Sequence, residues 1–293
     1  MNTHTVTGGN QLKLHVEEAG PADAPSILFI HGFSQCGLAW RRQIDSELAS
    51  RFRLVAMDLR GHGQSEKPAD AYGDARLWAE DVHAVIGALD LKQPVLVGWS
   101  YGGFVICDYL RYYGDHDVSG INFIGAATKI SQETAPAILG SDFLSLLPGF
   151  FSHDTDETIA TLVTFAGICT HRQLDRGEFY LTLGFSALVP PAVRLGLLSR
   201  TIDNDDLLPK LRVPVVISHG ERDRIVHAQV ARDHAALIPN AELSMYADAG
   251  HAVFLDDAGR FNRELARFVD ASSGVGAGLP TRGAGAHSTA ADM

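Results

Sequence analysis

The stretch Gly98-Trp99-Ser100-Tyr101-Gly102, followed by Gly103, sets one hydroxyl between a short apolar run and a helical pattern. Glycines two residues to either side of a serine suit a turn so sharp that larger side chains would collide. The strain of that turn lifts the hydroxyl clear of a sheet edge, which is the nucleophile-elbow arrangement for acyl transfer. The competing structural reading is a serine that only N-caps the helix beginning near Tyr101. A serine hydroxyl is a weak nucleophile at neutral pH. The chemistry therefore also demands a base within hydrogen-bond reach and a third group that holds the base in its tautomer. Histidine, with an unperturbed pKa of about 6.5, is the residue type for the base. Thirteen are present, so residue type alone does not choose among them.

The surroundings of the serine predict the elements that position it. Residues 26–30, 53–57, 94–98 and 214–218 are short apolar runs without alternation, the pattern of buried parallel strands. Residues 119–124 and 241–246 are further strand candidates, and 11–18 alternates like an exposed antiparallel edge strand. Helical spacing runs over 38–48, 76–89, 101–113, 228–237 and 258–269, with Trp78, Val82, Ile86 and Leu89 forming one apolar stripe. Strands alternating with helices imply right-handed crossovers and an α/β fold with a mostly parallel central sheet covered on both faces. From 127 to 209 the alternation breaks into apolar, helix-like pieces. The division expected is a core of 1–126 and 210–271 with a helical cap insertion at 127–209. Residues 272–293 are rich in Gly, Ala, Ser and Thr and are expected to form a disordered tail.

Composition excludes several classes. The net charge is −11 with 46% hydrophobic and 20% charged residues, which fits a folded domain and repels phosphate backbones and anionic lipid. Neither nucleic acid nor a membrane is an expected partner; a small-molecule substrate is. Cys36, Cys107 and Cys169 are too scattered for a disulfide framework or a metal site. No basic start leads into an apolar block, and no uncharged apolar run reaches the length of a membrane span, so the expected location is cytoplasmic. No metal-ligand motif or phosphate loop occurs, and no cofactor or metal is expected.

The order of motifs resembles the α/β-hydrolase superfamily from about residue 10 to 270. His31-Gly32-Phe33 follows one buried strand and Asp58-Leu59-Arg60-Gly61-His62-Gly63-Gln64-Ser65 follows the next. The elbow, Gly220-Glu221-Arg222-Asp223 and Gly250-His251 come after them. The resemblance implies Ser100 as nucleophile, His251 as general base and Asp223 as the acid that orients it, in the family's order. His219 is the runner-up base, although at the end of its strand a structural role suits it better, and Glu221 competes with Asp223. Asp223 could instead pair with Arg222 or Arg224 on a solvated loop. By the same resemblance the backbone N–H groups of Phe33 and Tyr101 form the oxyanion hole, while His31 and His62 brace loop geometry.

A serine at the elbow argues against the relatives that use aspartate there, such as haloalkane dehalogenases and epoxide hydrolases. The expected reaction is hydrolysis of a small, mainly apolar carboxylic ester, lactone or thioester through an acyl-Ser100 intermediate. Phe143, Phe150, Phe151, Phe165, Phe179, Tyr180 and Phe185 could roof an apolar pocket, with Trp99 and Cys36 as candidate wall residues. The alternatives are a perhydrolase or cofactor-free haloperoxidase, a carbon–carbon bond hydrolase, and a ligand-binding receptor on a hydrolase scaffold. Oligomeric state is not encoded in these motifs.

Overall fold

The computed structural model describes residues 1–274. Its strands are β1 (Asn2–Thr7), β2 (Lys13–Ala19), β3 (Ser26–Ile30), β4 (Arg53–Met57), β5 (Val95–Trp99), β6 (Gly120–Ile124), β7 (Val215–Gly220) and β8 (Ala241–Tyr246). They form one eight-stranded sheet in the order β1-β2-β4-β3-β5-β6-β7-β8. β1 and β2 pair antiparallel, as do β2 and β4, and every later pairing is parallel. The fold is thus the α/β fold with a mostly parallel central sheet that the alternation of apolar runs and amphipathic stripes predicts, in the arrangement the α/β-hydrolase resemblance implies. β3, β5, β6 and β7 are buried along their whole length, which explains why their sequences lack alternation.

The helices are α1 (Arg41–Ile44), α2 (Leu48–Arg51), α3 (Ala75–Ala88), α4 (Tyr101–Tyr113), α5 (Ala135–Ile138), α6 (Ser141–Phe150), α7 (Thr155–Ile168), α8 (Arg176–Ala187), α9 (Pro191–Leu198), α10 (Ala228–Leu237), α11 (Val253–Asp256) and α12 (Ala258–Ser272). α3 starts on an Asp74 cap and turns Trp78, Val82 and Ile86 of the predicted stripe inward with Val85 beside them, while Leu89, the fourth member of the stripe, is the buried C-cap residue. α5 to α9 all lie between β6 and β7. That stretch holds no strand, only single bridges pairing Ile130 with Ile202 and Leu139 with Val226.

Two expectations need correction. The helix predicted over 38–48 is a 3-10 turn at Gly37–Trp40 followed by α1 and α2. Ser46 breaks it: its hydroxyl donates to the Gln43 carbonyl and accepts from the Leu48 N–H, a local alternative to the helical ladder. The antiparallel strand near 11–18 is not an edge, because β1 pairs outside it. β1 escaped the sequence reading because its mostly exposed polar side chains carry little apolar signal. The tail expected from 272 lies outside the described residues beyond Gly274.

Candidate active site

Ser100 sits between β5 and α4 with φ 55° and ψ −115°, a backbone region that costs energy for any residue with a Cβ. The chain holds it there from both sides. The Ser100 N–H donates to the Ile124 carbonyl at 2.9 Å, and the Ser100 carbonyl accepts from the Gly103 N–H at 2.9 Å. Glycine at 102 is a packing requirement, since a Cβ there would stand 2.5 Å from the Ile30 carbonyl oxygen. The same close approach of α4 to the end of β3 brings the Gly32 loop beside Ser100, whose Cβ would lie 3.0 Å from a Cβ at position 32.

His251 and Asp223 converge from two loops at the same end of the sheet. His251 Nδ1 lies 2.8 Å from Asp223 Oδ2, and both side chains are buried. Oδ1 of Asp223 accepts the N–H groups of Ile225 and Val226 at 2.8 and 2.9 Å, so the carboxylate is saturated by local donors. Burial alone would raise its pKa. The adjacent imidazoles of His251 and His219 outweigh burial and hold the carboxyl well below the ordinary range. Glu221, the competing acid, instead pairs with Arg232 on the surface. Arg224 binds Asp142, leaving Asp223 to the histidines.

The loop carrying His251 is fixed by neighbours that the sequence did not reveal. Trp99 Nε1 donates to the His251 carbonyl at 3.0 Å. The Ala252 N–H donates to the Cys169 carbonyl at 2.8 Å. Asp256 accepts from the N–H groups of Gly250, His171 and Arg172 at 2.7, 2.9 and 2.9 Å, tying the loop to the segment after α7.

His31 fixes the loop before Phe33. Its Nδ1 donates to the Gly32 carbonyl at 2.8 Å and its Nε2 accepts the Leu59 N–H at 3.0 Å, so the ring is neutral and spans two loops. Burial pushes its pKa far down, and that of His62 down to about 4. His62 Nδ1 faces the Arg60 carbonyl at 2.9 Å. Asp58 completes the scaffold by accepting the N–H groups of Gly37 and Gln64, each at 2.7 Å. The N–H of Phe33 has no protein acceptor among the described residues. The N–H of Tyr101 opens α4, where no intrahelical carbonyl is available to it.

Gly32, Phe33, Trp99, Ser100, Tyr101 and His251 line a single cavity of about 40 Å³. Its remaining walls are apolar: Phe104, Ala127, Ile130, Leu139, Phe143, Phe165, Leu197, Leu198, Ile225 and Val226. Trp99 is therefore a wall residue. Cys36 is not, because it faces a separate cavity with Asp58, Phe185 and Leu188. Of the seven aromatic residues in the insertion only Phe143 and Phe165 reach the Ser100 cavity. Phe150 packs behind them, its ring 5.1 Å from that of Phe33, and Tyr180 is 56% exposed.

Buried charges missed in the sequence link the residues after α9 to α4. Arg200 forms a bidentate pair with Asp108 of α4 at 2.9 and 2.8 Å and donates to the Tyr101 hydroxyl at 3.2 Å. The signal available was an acid set within the apolar run of residues 104–110. Among the described residues no group of three or more metal-ligating side chains occurs. Among the described residues no single helix is long and apolar enough to cross a membrane.

Comparison with known proteins adds the family dimension. The profile of the alpha/beta hydrolase family matches residues 27–264. A putative aryl esterase from Burkholderia cenocepacia is 34% identical, superposes with a TM-score of 0.88 and is matched over 93% of this chain and 100% of its own. An esterase from Rhodococcus sp. is 33% identical with a TM-score of 0.89 over the same shares. A bifunctional esterase/perhydrolase from Acinetobacter calcoaceticus is 28% identical over 286 residues, covering 90% of this chain and 98% of that protein.

Proposed function

This chain belongs to the alpha/beta hydrolase family, and we propose that it is a serine hydrolase that cleaves small, mainly apolar carboxylic esters through an acyl-Ser100 intermediate. The observation that carries this reading is the His251–Asp223 contact at 2.8 Å, together with the fact that Ser100 and His251 line one apolar cavity. The esterases among its relatives support the same substrate class.

In this reading Nε2 of His251 takes the proton of Ser100 Oγ as the oxygen attacks the substrate carbonyl carbon. The resulting oxyanion is met by the N–H groups of Phe33 and Tyr101, the latter at the positive end of α4. Collapse of the tetrahedral intermediate breaks the bond to the alcohol, which leaves with the proton held by His251. Water, deprotonated by His251, then attacks the acyl carbon and returns Ser100 with a free acid. Asp223 keeps Nδ1 of His251 protonated and stabilises the imidazolium in both halves. The Ser100 hydroxyl makes no hydrogen bond among the described residues, and the reading requires substrate binding to bring it within reach of His251.

Cavity size supports a short acyl group. At about 40 Å³ the cavity is narrow. Apart from His251 no acidic or basic side chain lines it, which favours an uncharged group there. Residues 127–209 act as the cap that supplies this roof, over a core of 1–126 and 210–271. Lactones and thioesters suit the same acyl chemistry. So does perhydrolysis, in which hydrogen peroxide replaces water in the second half; the name of the Acinetobacter relative carries both activities.

A panel of p-nitrophenyl esters, lactones and thioesters, with and without hydrogen peroxide, tests the reading on wild type and Ser100→Ala. Turnover of acetate and butyrate esters, lost by at least about a thousandfold in the variant, is expected. Full activity in Ser100→Ala overturns it. Stoichiometric labelling of Ser100 by a fluorophosphonate without turnover of any ester would favour a receptor.

A further inference from the structure

Among the described residues three arginines are buried, and two have carboxylate partners: Arg60 with Asp81 and Arg200 with Asp108. The third, Arg194 in α9, is 1% exposed and pairs with no carboxylate among the described residues. An unpaired buried charge is expensive, so its partners must compensate. They are the Ser186 carbonyl at 2.8 Å, the Phe150 carbonyl at 3.5 Å and the Ser34 hydroxyl at 3.1 Å from Nε. Phe150 ends α6 and Ser186 lies in the last turn of α8. The negative ends of two helices therefore stand in for a counter-ion.

The third partner bears on function. Ser34 is the residue after Phe33, in a turn closed by the Gln35 N–H donating to the Gly32 carbonyl at 3.3 Å. Its φ of 58° is left-handed, a conformation that side chains other than Gly and Asn seldom keep without support. The neighbouring Gln35 amide donates to the Ser186 hydroxyl at 3.3 Å. The Phe33 ring is packed by Phe143, Phe150 and Phe165. The whole turn is held by the segment between β6 and β7, and Arg194 is its charged anchor.

We propose that Arg194 is a positioning residue for acyl transfer: by holding the Ser34 hydroxyl between two helix ends, it fixes the turn that presents the Phe33 N–H to the oxyanion. The inference rests on the reading of Phe33 as an oxyanion donor. It makes the helical segment a part of the catalytic apparatus as well as a roof, because displacing that segment would release the turn.

The test uses Arg194→Met, Arg194→Lys and Ser34→Ala in the full chain. It reads kcat and KM on p-nitrophenyl acetate and the inhibition constant of a phenylboronic acid that mimics the tetrahedral intermediate. Losing an oxyanion donor outright costs about 100- to 1000-fold in rate, so a mis-aimed donor is expected to cost about 10- to 100-fold in kcat with KM little changed. Boronate affinity should fall in parallel, Arg194→Lys should recover part of the loss, and the losses in Arg194→Met and Ser34→Ala should not multiply when the two substitutions are combined. A folded Arg194→Met with wild-type kcat, or one that raises KM while boronate affinity holds, overturns the inference. Should Arg194→Met fail to fold, Ser34→Ala decides alone: wild-type kcat and boronate affinity in it overturn the proposal. Residual full activity in Ser100→Ala would instead indict the nucleophile assignment, a result separate from any of these.

Discussion

His219 shares with His251 a single carboxylate oxygen: its Nε2 lies 3.1 Å from Oδ2 of Asp223, the atom that also receives Nδ1 of His251. The same Nε2 is 3.1 Å from the Val226 carbonyl. Both neighbours are acceptors, so the network assigns the proton to Nε2. The runner-up base is thus placed behind the acid, out of the cavity, as a second donor to it. Replacing it by phenylalanine should cost about 1.5–3 kcal/mol of stability, the worth of a hydrogen bond to a charged group. It should lower kcat about tenfold as Asp223 loses a restraint. His219→Gln, which can still donate, should recover part of both. Urea denaturation and ester kinetics on the two variants measure this; equal behaviour of Phe and Gln would refute it.

Acid should destabilise the fold well above the carboxylate range. Burial holds His62 and His234 at about 4 and His31 well below 6.5. His62 Nε2 and His234 Nδ1 face no hydrogen-bond partner, so a second proton on either ring would lack an acceptor. The unfolded chain protonates all three as pH falls through 6.5, while the folded state stays neutral. Their stabilisation is complete above pH 6.5 and declines toward pH 4, by up to about 1.4 kcal/mol per pH unit for each ring. Burial pushes Asp108 up to about 6 and also raises Asp58 and Asp81, and these carboxyls oppose part of the trend. The urea midpoint should therefore be lower at pH 5 than at pH 7.5; an unchanged or higher midpoint contradicts the three buried neutral rings.

Chain-length preference should follow the cavity wall. Phe143 is 3% exposed and lines the space over Ser100, so Phe143→Ala should cost about 3–5 kcal/mol and open room for longer acyl groups. Each extra buried methylene is worth about 0.8 kcal/mol. The ratio of kcat/KM for hexanoate over acetate should then rise by more than tenfold. A ratio that stays put would remove Phe143 from the acyl pocket.

Two glycines should respond in opposite directions. A Cβ at Gly102 would meet the Ile30 carbonyl oxygen at 2.5 Å, whereas one at Gly184 would meet nothing within 4 Å. Gly102→Ala should destabilise by about 1–3 kcal/mol or more and reduce activity, because backbone must move beside Ser100. Gly184→Ala, in the interior of α8, should stabilise by about 0.5–1 kcal/mol with activity intact. Thermal transitions of the two proteins make the comparison.

The amino-acid sequence by itself determined the fold class and the order of chemistry along the chain. Buried parallel strands write unbroken apolar runs, and the Gly-x-Ser-x-Gly spacing at residues 98–102 can be read directly in the chain. Those signals are short-range, so they survive without a structure. What only the tertiary structure decided are relations between side chains far apart in sequence. Asp223 gathers two histidines, Cys36 turns to another cavity, and Asp256 ties His251 to residues 171 and 172. Arg194 and Arg200 read as ordinary polar positions in the chain and become buried partners of Ser34 and Asp108 only when α9 and the residues after it pack on the core. Charge pairing and desolvation depend on distance in space, and no local pattern encodes which loops will meet.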